Sequence, residues 1–127
     1  MPVLPAEDVA YLERRGYRYK AELENGFVCL IIYGYVLPCG YTSSTVDLLL
    51  RLAAGWPDAK PDMFWMDPAV GYAKGGGPGQ AQVRETYLGR SWQRFSRHLP
   101  DGLWRTGDGL ETWMTQIAET LRREVPA

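Results

Sequence analysis

The sequence predicts an α+β fold, in which an antiparallel sheet is flanked by a helix at each end of the chain. Three observations carry that expectation. Two strand-like runs on either side of residues 24–26 are joined by Asn25-Gly26, the strongest short hairpin signal. Near the other end Leu110, Trp113, Met114, Ile117 and Leu121 recur at helical spacing and make one apolar stripe. The chain has 127 residues, 46% of them apolar and 23% charged, which fits one domain with its own core (residues 1–127).

Residues 6–15 read as a short helix. Pro5 suits its first turn, Glu7 and Asp8 its positive end, Arg14 and Arg15 its negative end, and Gly16 stops it. Val9 and Leu12 are expected to face inward. Tyr17, Tyr19, Ala21 and Leu23 then alternate with Arg18, Lys20 and Glu22, as in a half-buried strand. Residues 27–33 are almost continuously apolar and read as a central strand. Residues 34–44, with Pro38 and Gly40, form a connection.

Residues 46–52 make a third strand, with Val46, Leu48, Leu50 and Leu52 on one face. A proline-rich turn over residues 55–62 leads to a short fourth strand at residues 63–66, closed by Asp67-Pro68. The four strands are expected to form an antiparallel meander. Lys74-Gly-Gly-Gly-Pro-Gly79 is a loop: a phosphate cradle needs a Gly-Lys-Ser/Thr ending on a helix, which is missing. Residues 81–88 read as a short turn of helix. The C-terminal helix is expected over residues 108–124, with Asp108 and Glu111 in capping-box spacing.

Composition excludes several classes. A net charge of −1 gives no global field to attract nucleic acid or an anionic membrane. No apolar run reaches about 18 residues, so no membrane span is expected. The N-terminus has neither a basic n-region nor a long apolar run, which makes a cytoplasmic location the default expectation. Two cysteines without a histidine pair do not make a zinc site. Cys29, in an apolar run, is expected to be a small buried hydrophobe. Cys39 lies in the turn Leu-Pro-Cys-Gly-Tyr, with nothing basic beside it to activate the thiol.

Chemistry concentrates in residues 91–104. The only histidine, His98, follows Ser96 by two positions, Arg94 and Arg97 flank the serine, and Trp92 and Trp104 bracket the stretch. Pro100-Asp101-Gly102 argues for irregular backbone. In an extended segment residues i and i+2 share a face, so Ser96 and His98 can address one pocket. A serine hydroxyl needs a base to act as nucleophile, and His98 is the side chain suited to take a proton near neutral pH. Arg97, Arg94 or backbone amides are candidate oxyanion donors. A plainer reading has Ser96 capping a turn and His98 bonded to backbone; residue pattern alone leaves both open.

The order helix, meander, proline-rich turn, irregular stretch, helix resembles the ubiquitin-conjugating (E2, UBC-like) fold. Gly55-Trp-Pro-Asp-Ala-Lys-Pro61 is similar to the E2 signature between the third and fourth strands, and Phe64-Trp65 follows it. Ser96 stands eight residues before Trp104, the spacing at which an E2 keeps its catalytic cysteine. Within that superfamily the chain resembles prokaryotic E2 family E, through Pro61-Asp-Met-Phe-Trp65, Leu88-Gly-Arg-Ser-Trp-Gln-Arg94, Ser96-Arg-His98 and Asp108-Gly-Leu-Glu-Thr112.

The resemblance implies a minimal E2 core in a bacterial ubiquitin-like pathway. Its usual companions are a ThiF-type E1-like adenylating enzyme, a ubiquitin-like protein and a JAB-type or other deconjugating peptidase, and some such systems serve antiphage defence. It implies a transferase without a cofactor, ATP being used by the E1-like partner. The cysteine position holds Ser96, so the expected carrier bond is an oxyester, with Ser96, His98 and Arg97 as the catalytic set. The His-Pro-Asn element of eukaryotic E2s is absent; Thr86-Tyr87-Leu88 stands roughly in its place. The alternative is an E2-fold binding module that holds the E1-like enzyme or ubiquitin-like protein without carrying it. Cys39 as nucleophile is a third reading, set back by its distance in topology from the E2 site.

Overall fold

A computed structural model describes residues 4–57, 61–97, 104 and 108–126. The described residues form helix α1 (Ala6–Arg14), strands β1 (Arg18–Glu24), β2 (Phe27–Val36), β3 (Thr45–Leu52), β4 (Met63–Asp67), β5 (Arg84–Tyr87) and β6 (Arg90–Ser96), and helix α2 (Leu110–Glu124). The strands make one antiparallel sheet in the order β1-β2-β3-β4-β6-β5.

Among the described residues the sheet therefore has six strands where four were expected. Residues 84–87 are not a turn of helix but a strand, in which Glu85 and Tyr87 are half-buried while Arg84 and Thr86 are exposed. The segment expected to be irregular is regular as far as Ser96, because β5 pairs with residues 90–93 of β6 and β4 with residues 93–96.

Two hairpins have two-residue loops with both residues at positive φ, as in type I′ turns. Asn25 and Gly26 (φ 52° and 83°) join β1 to β2, as expected. Leu88 and Gly89 (φ 53° and 74°) join β5 to β6. Leucine is a poor residue for that conformation. Its backbone N–H donates to the Glu24 carboxylate at 3.1 Å, tying the second hairpin's tip to the first hairpin.

One face of the sheet packs against the helices. Leu12 of α1 and Leu110, Trp113, Met114, Ile117 and Leu121 of α2 meet Leu30, Ile32, Leu48, Leu50, Phe64, Met66 and Phe95 of the strands. Phe64 and Phe95 stack with centroids 4.9 Å apart. The opposite face buries a second cluster, Cys29, Ile31, Leu49, Trp65 and Trp92, to which no described helical residue belongs. The sheet covers this cluster by curling on itself. The β5–β6 hairpin brings Tyr87 edge-on to Trp65 at 5.6 Å and reaches across to Glu24.

Candidate functional site

Ser96 is the last residue of β6, and backbone bonds hold it on both sides. It pairs with Met63 of β4, its N–H donates to the Gln80 carbonyl at 3.1 Å, and the next N–H, of Arg97, donates to the Asp62 carbonyl at 2.7 Å. Strand alternation places Ser96 on the face of Trp92 and Arg94, and Arg97 with Gln93 and Phe95 on the helix side. Ser96 is half-buried and lines an open groove of about 400 Å³ with Tyr72, Gly79, Gln80, Arg97 and Glu124. Among the described residues no hydrogen bond occupies its hydroxyl.

Arg97 is fully engaged with its surroundings. Its Nε and Nη2 donate to the two oxygens of Glu124, each at 2.8 Å, and its Nη1 donates to the Ser96 carbonyl at 2.7 Å. The pair is bidentate and only 15% and 27% exposed, so it is firmer than an ordinary surface ion pair. It locks the end of β6 to the last residue of α2. Arg94 is likewise bound, by Glu85 at 2.9 Å. Burial raises the Tyr72 phenol above its ordinary value and the Glu124 charge adds to that, against Arg97, so Tyr72 stays a neutral hydroxyl beside the pair.

The loop wall of the groove is pinned by Gln93, which is 6% exposed. Its Oε1 accepts the Val70 N–H at 2.8 Å, and its Nε2 donates to the carbonyls of Val70 at 3.0 Å and Ala81 at 3.1 Å. His98 lies outside the described residues, as do Pro100, Asp101 and Gly102. Trp104 is described: its indole N–H donates to the Pro57 carbonyl at 2.8 Å, and its ring packs on Trp56 at 5.6 Å.

Cys29 is buried, and burial raises its thiol pKa against the effect of Arg51 beside it. Cys39 is exposed. Its turn is distant in sequence yet abuts the groove wall in space: Gly40 packs against Val125, accepts the Ala73 N–H at 2.8 Å, and is followed by Tyr41, which bridges to Tyr72. Sequence reasoning did not bring Gln80 or Glu124 to the site. Both reach it through long-range packing, which leaves no local pattern in the chain. Among the described residues no cluster of histidine, cysteine or carboxylate side chains fits a metal ion, and no helix is long and apolar enough to cross a membrane.

The family model for prokaryotic E2 family E matches residues 4–124. No curated protein and no solved structure matches the chain.

Proposed function

The chain belongs to prokaryotic E2 family E, and from that premise, which carries a role in ubiquitin-like conjugation, we propose that it is the pathway's acyl carrier. An E1-like enzyme activates the C-terminal carboxyl of a ubiquitin-like protein. The Ser96 Oγ attacks that carboxyl carbon, a C–O ester bond forms, the bond to the activating group breaks, and the hydroxyl proton passes to His98. A second attack, by an acceptor, releases Ser96. A deconjugating peptidase would reverse the modification.

The observation that supports this reading is the position of Ser96: it ends a strand held on both sides and opens onto a groove. Arg97 enters as a positioning residue, because its fork is closed on Glu124. An oxyester is less activated toward amines than a thioester, so the groove's own groups carry more of the transfer step.

The test mixes the protein with its E1-like enzyme, ubiquitin-like protein and ATP. An adduct that survives reducing agent, is cleaved by hydroxylamine and vanishes in Ser96→Ala is expected. His98→Ala should slow its formation by about 10²- to 10⁴-fold. A reductant-labile adduct lost in Cys39→Ala would transfer the role to that neighbouring turn. The closed Arg97–Glu124 fork also favours a second reading, an inactive binding module. A stable complex on a sizing column without any adduct would establish it.

A further inference from the structure

A second cleft lies on the outer face of the sheet and has no part in the carrier reading. β3 and β4 pair only from Asp47↔Asp67 to Leu49↔Trp65. Beyond that point β3 stays with β2, while Met63 and Phe64 pair with β6. The two strands part, and curled β5 closes over the gap. The resulting cavity is about 360 Å³, lined chiefly by aromatic and aliphatic side chains, among them Phe27, Met63, Trp65 and Tyr87. The mouth of a curled sheet is a common place for a small-ligand site.

Two guanidinium groups, Arg51 and Arg94, and two carboxylates, Asp62 and Glu85, line this cavity. Arg94 is neutralised by Glu85, whose carboxylate also accepts the Trp65 indole N–H and the Tyr87 hydroxyl, each at 2.9 Å. Arg51 makes no ion pair among the described residues. Its guanidinium carbon lies 4.1 Å from the Phe27 ring centroid and 3.9 Å from that of Tyr87, so both its faces are covered by rings. Its Nε is buried without a hydrogen-bond partner. Stacking clamps the group beside the Cys29 thiol, and a clamped guanidinium next to apolar walls presents in-plane donors in the geometry that suits a carboxylate. At about 30 Å³ per water the space equals roughly a dozen waters, enough for one large side chain with a carboxylate and too little for a folded partner.

We propose that this cleft binds an apolar acid, with its carboxylate on the in-plane edge of Arg51 and an aromatic or branched body against Trp65 and Met63. The chemistry is shared by a free small acid and by the C-terminal residue of a peptide. The test titrates the full chain with N-acetylphenylalanine and with its amide, following the indole N–H resonances by NMR. The acid should bind saturably and the amide about tenfold more weakly or worse. Arg51→Gln should erase that preference. Ser96→Ala should leave it intact, which separates this site from the carrier reading.

A pentapeptide ending in phenylalanine that binds more tightly than the N-acetyl acid would identify a peptide terminus as the source; equal or weaker binding would identify a free acid. Either result supports the site. Equal affinity for acid and amide, or no saturable shift with the acid, overturns it. This comparison uses the wild-type protein and so stands even if Arg51→Gln fails to fold.

Discussion

Asp8 illustrates how one residue here does work that its own neighbourhood does not reveal. In the sequence it is a first-turn acid suited to the positive end of its own helix. In the fold it is 4% exposed and serves other elements. Its Oδ2 accepts the Trp56 indole N–H at 2.8 Å, and its Oδ1 accepts the Leu110 N–H at 3.2 Å, at the start of α2. The capping box expected from Asp108 and Glu111 is thus not what holds Leu110; the acceptor comes from α1. Gly109 fits this contact, because a Cβ there would meet Asp8 Oδ1 at 3.2 Å. Asp8→Ala leaves two donors without their acceptor and should cost about 2–4 kcal/mol in urea unfolding. Asp8→Asn, which keeps one acceptor, should cost less. An unchanged midpoint for Asp8→Ala would rule out this bridging role.

Among the elements, the β5–β6 hairpin separates what was legible from what was not. The first hairpin was readable because Asn25-Gly26 suits two positive φ angles. The second uses Leu88-Gly89 for the same turn, with support from Glu24 and from the outer cluster, where Leu88 packs. That support is tertiary, so residues 81–88 looked helical. Ser96 and Arg97 were legible as candidates because the histidine and tryptophans mark the stretch, whereas the loop and helix end that complete the groove were not.

Gln93 joins this hairpin to the loop. Gln93→Leu would strip partners from the Val70 N–H and from the Val70 and Ala81 carbonyls, since leucine offers neither donor nor acceptor. Hydrogen exchange at the Val70 amide should accelerate by an order of magnitude or more, about 1–3 kcal/mol of lost local protection. Exchange at Leu30 and Leu48, in β2 and β3, should change less. Uniform acceleration throughout would mean global destabilisation instead.

At the scale of the whole molecule, one sheet carries two cores, and among the described residues helices close one of them. The outer core depends on the curl, and Glu85 fastens the curl by holding Trp65 of β4, Tyr87 of β5 and Arg94 of β6. Burial works to raise the Glu85 carboxyl, but the Trp65 and Tyr87 hydrogen bonds and the Arg94 charge outweigh it and leave it below its ordinary value. A carboxyl whose folded pKa is depressed binds protons more readily once the chain unfolds. Its contribution to stability is therefore complete above the unfolded value, about 4.3, and is lost as pH falls through the folded one. Glu85→Gln removes the charge at every pH. The variant should unfold at lower urea than the wild type at pH 7, and the gap should narrow as the pH is lowered below about 4. Urea titrations of both proteins across that range measure the gap directly. A gap that stays constant with pH would mean that Glu85 acts through packing alone, and that the outer core closes without its charge.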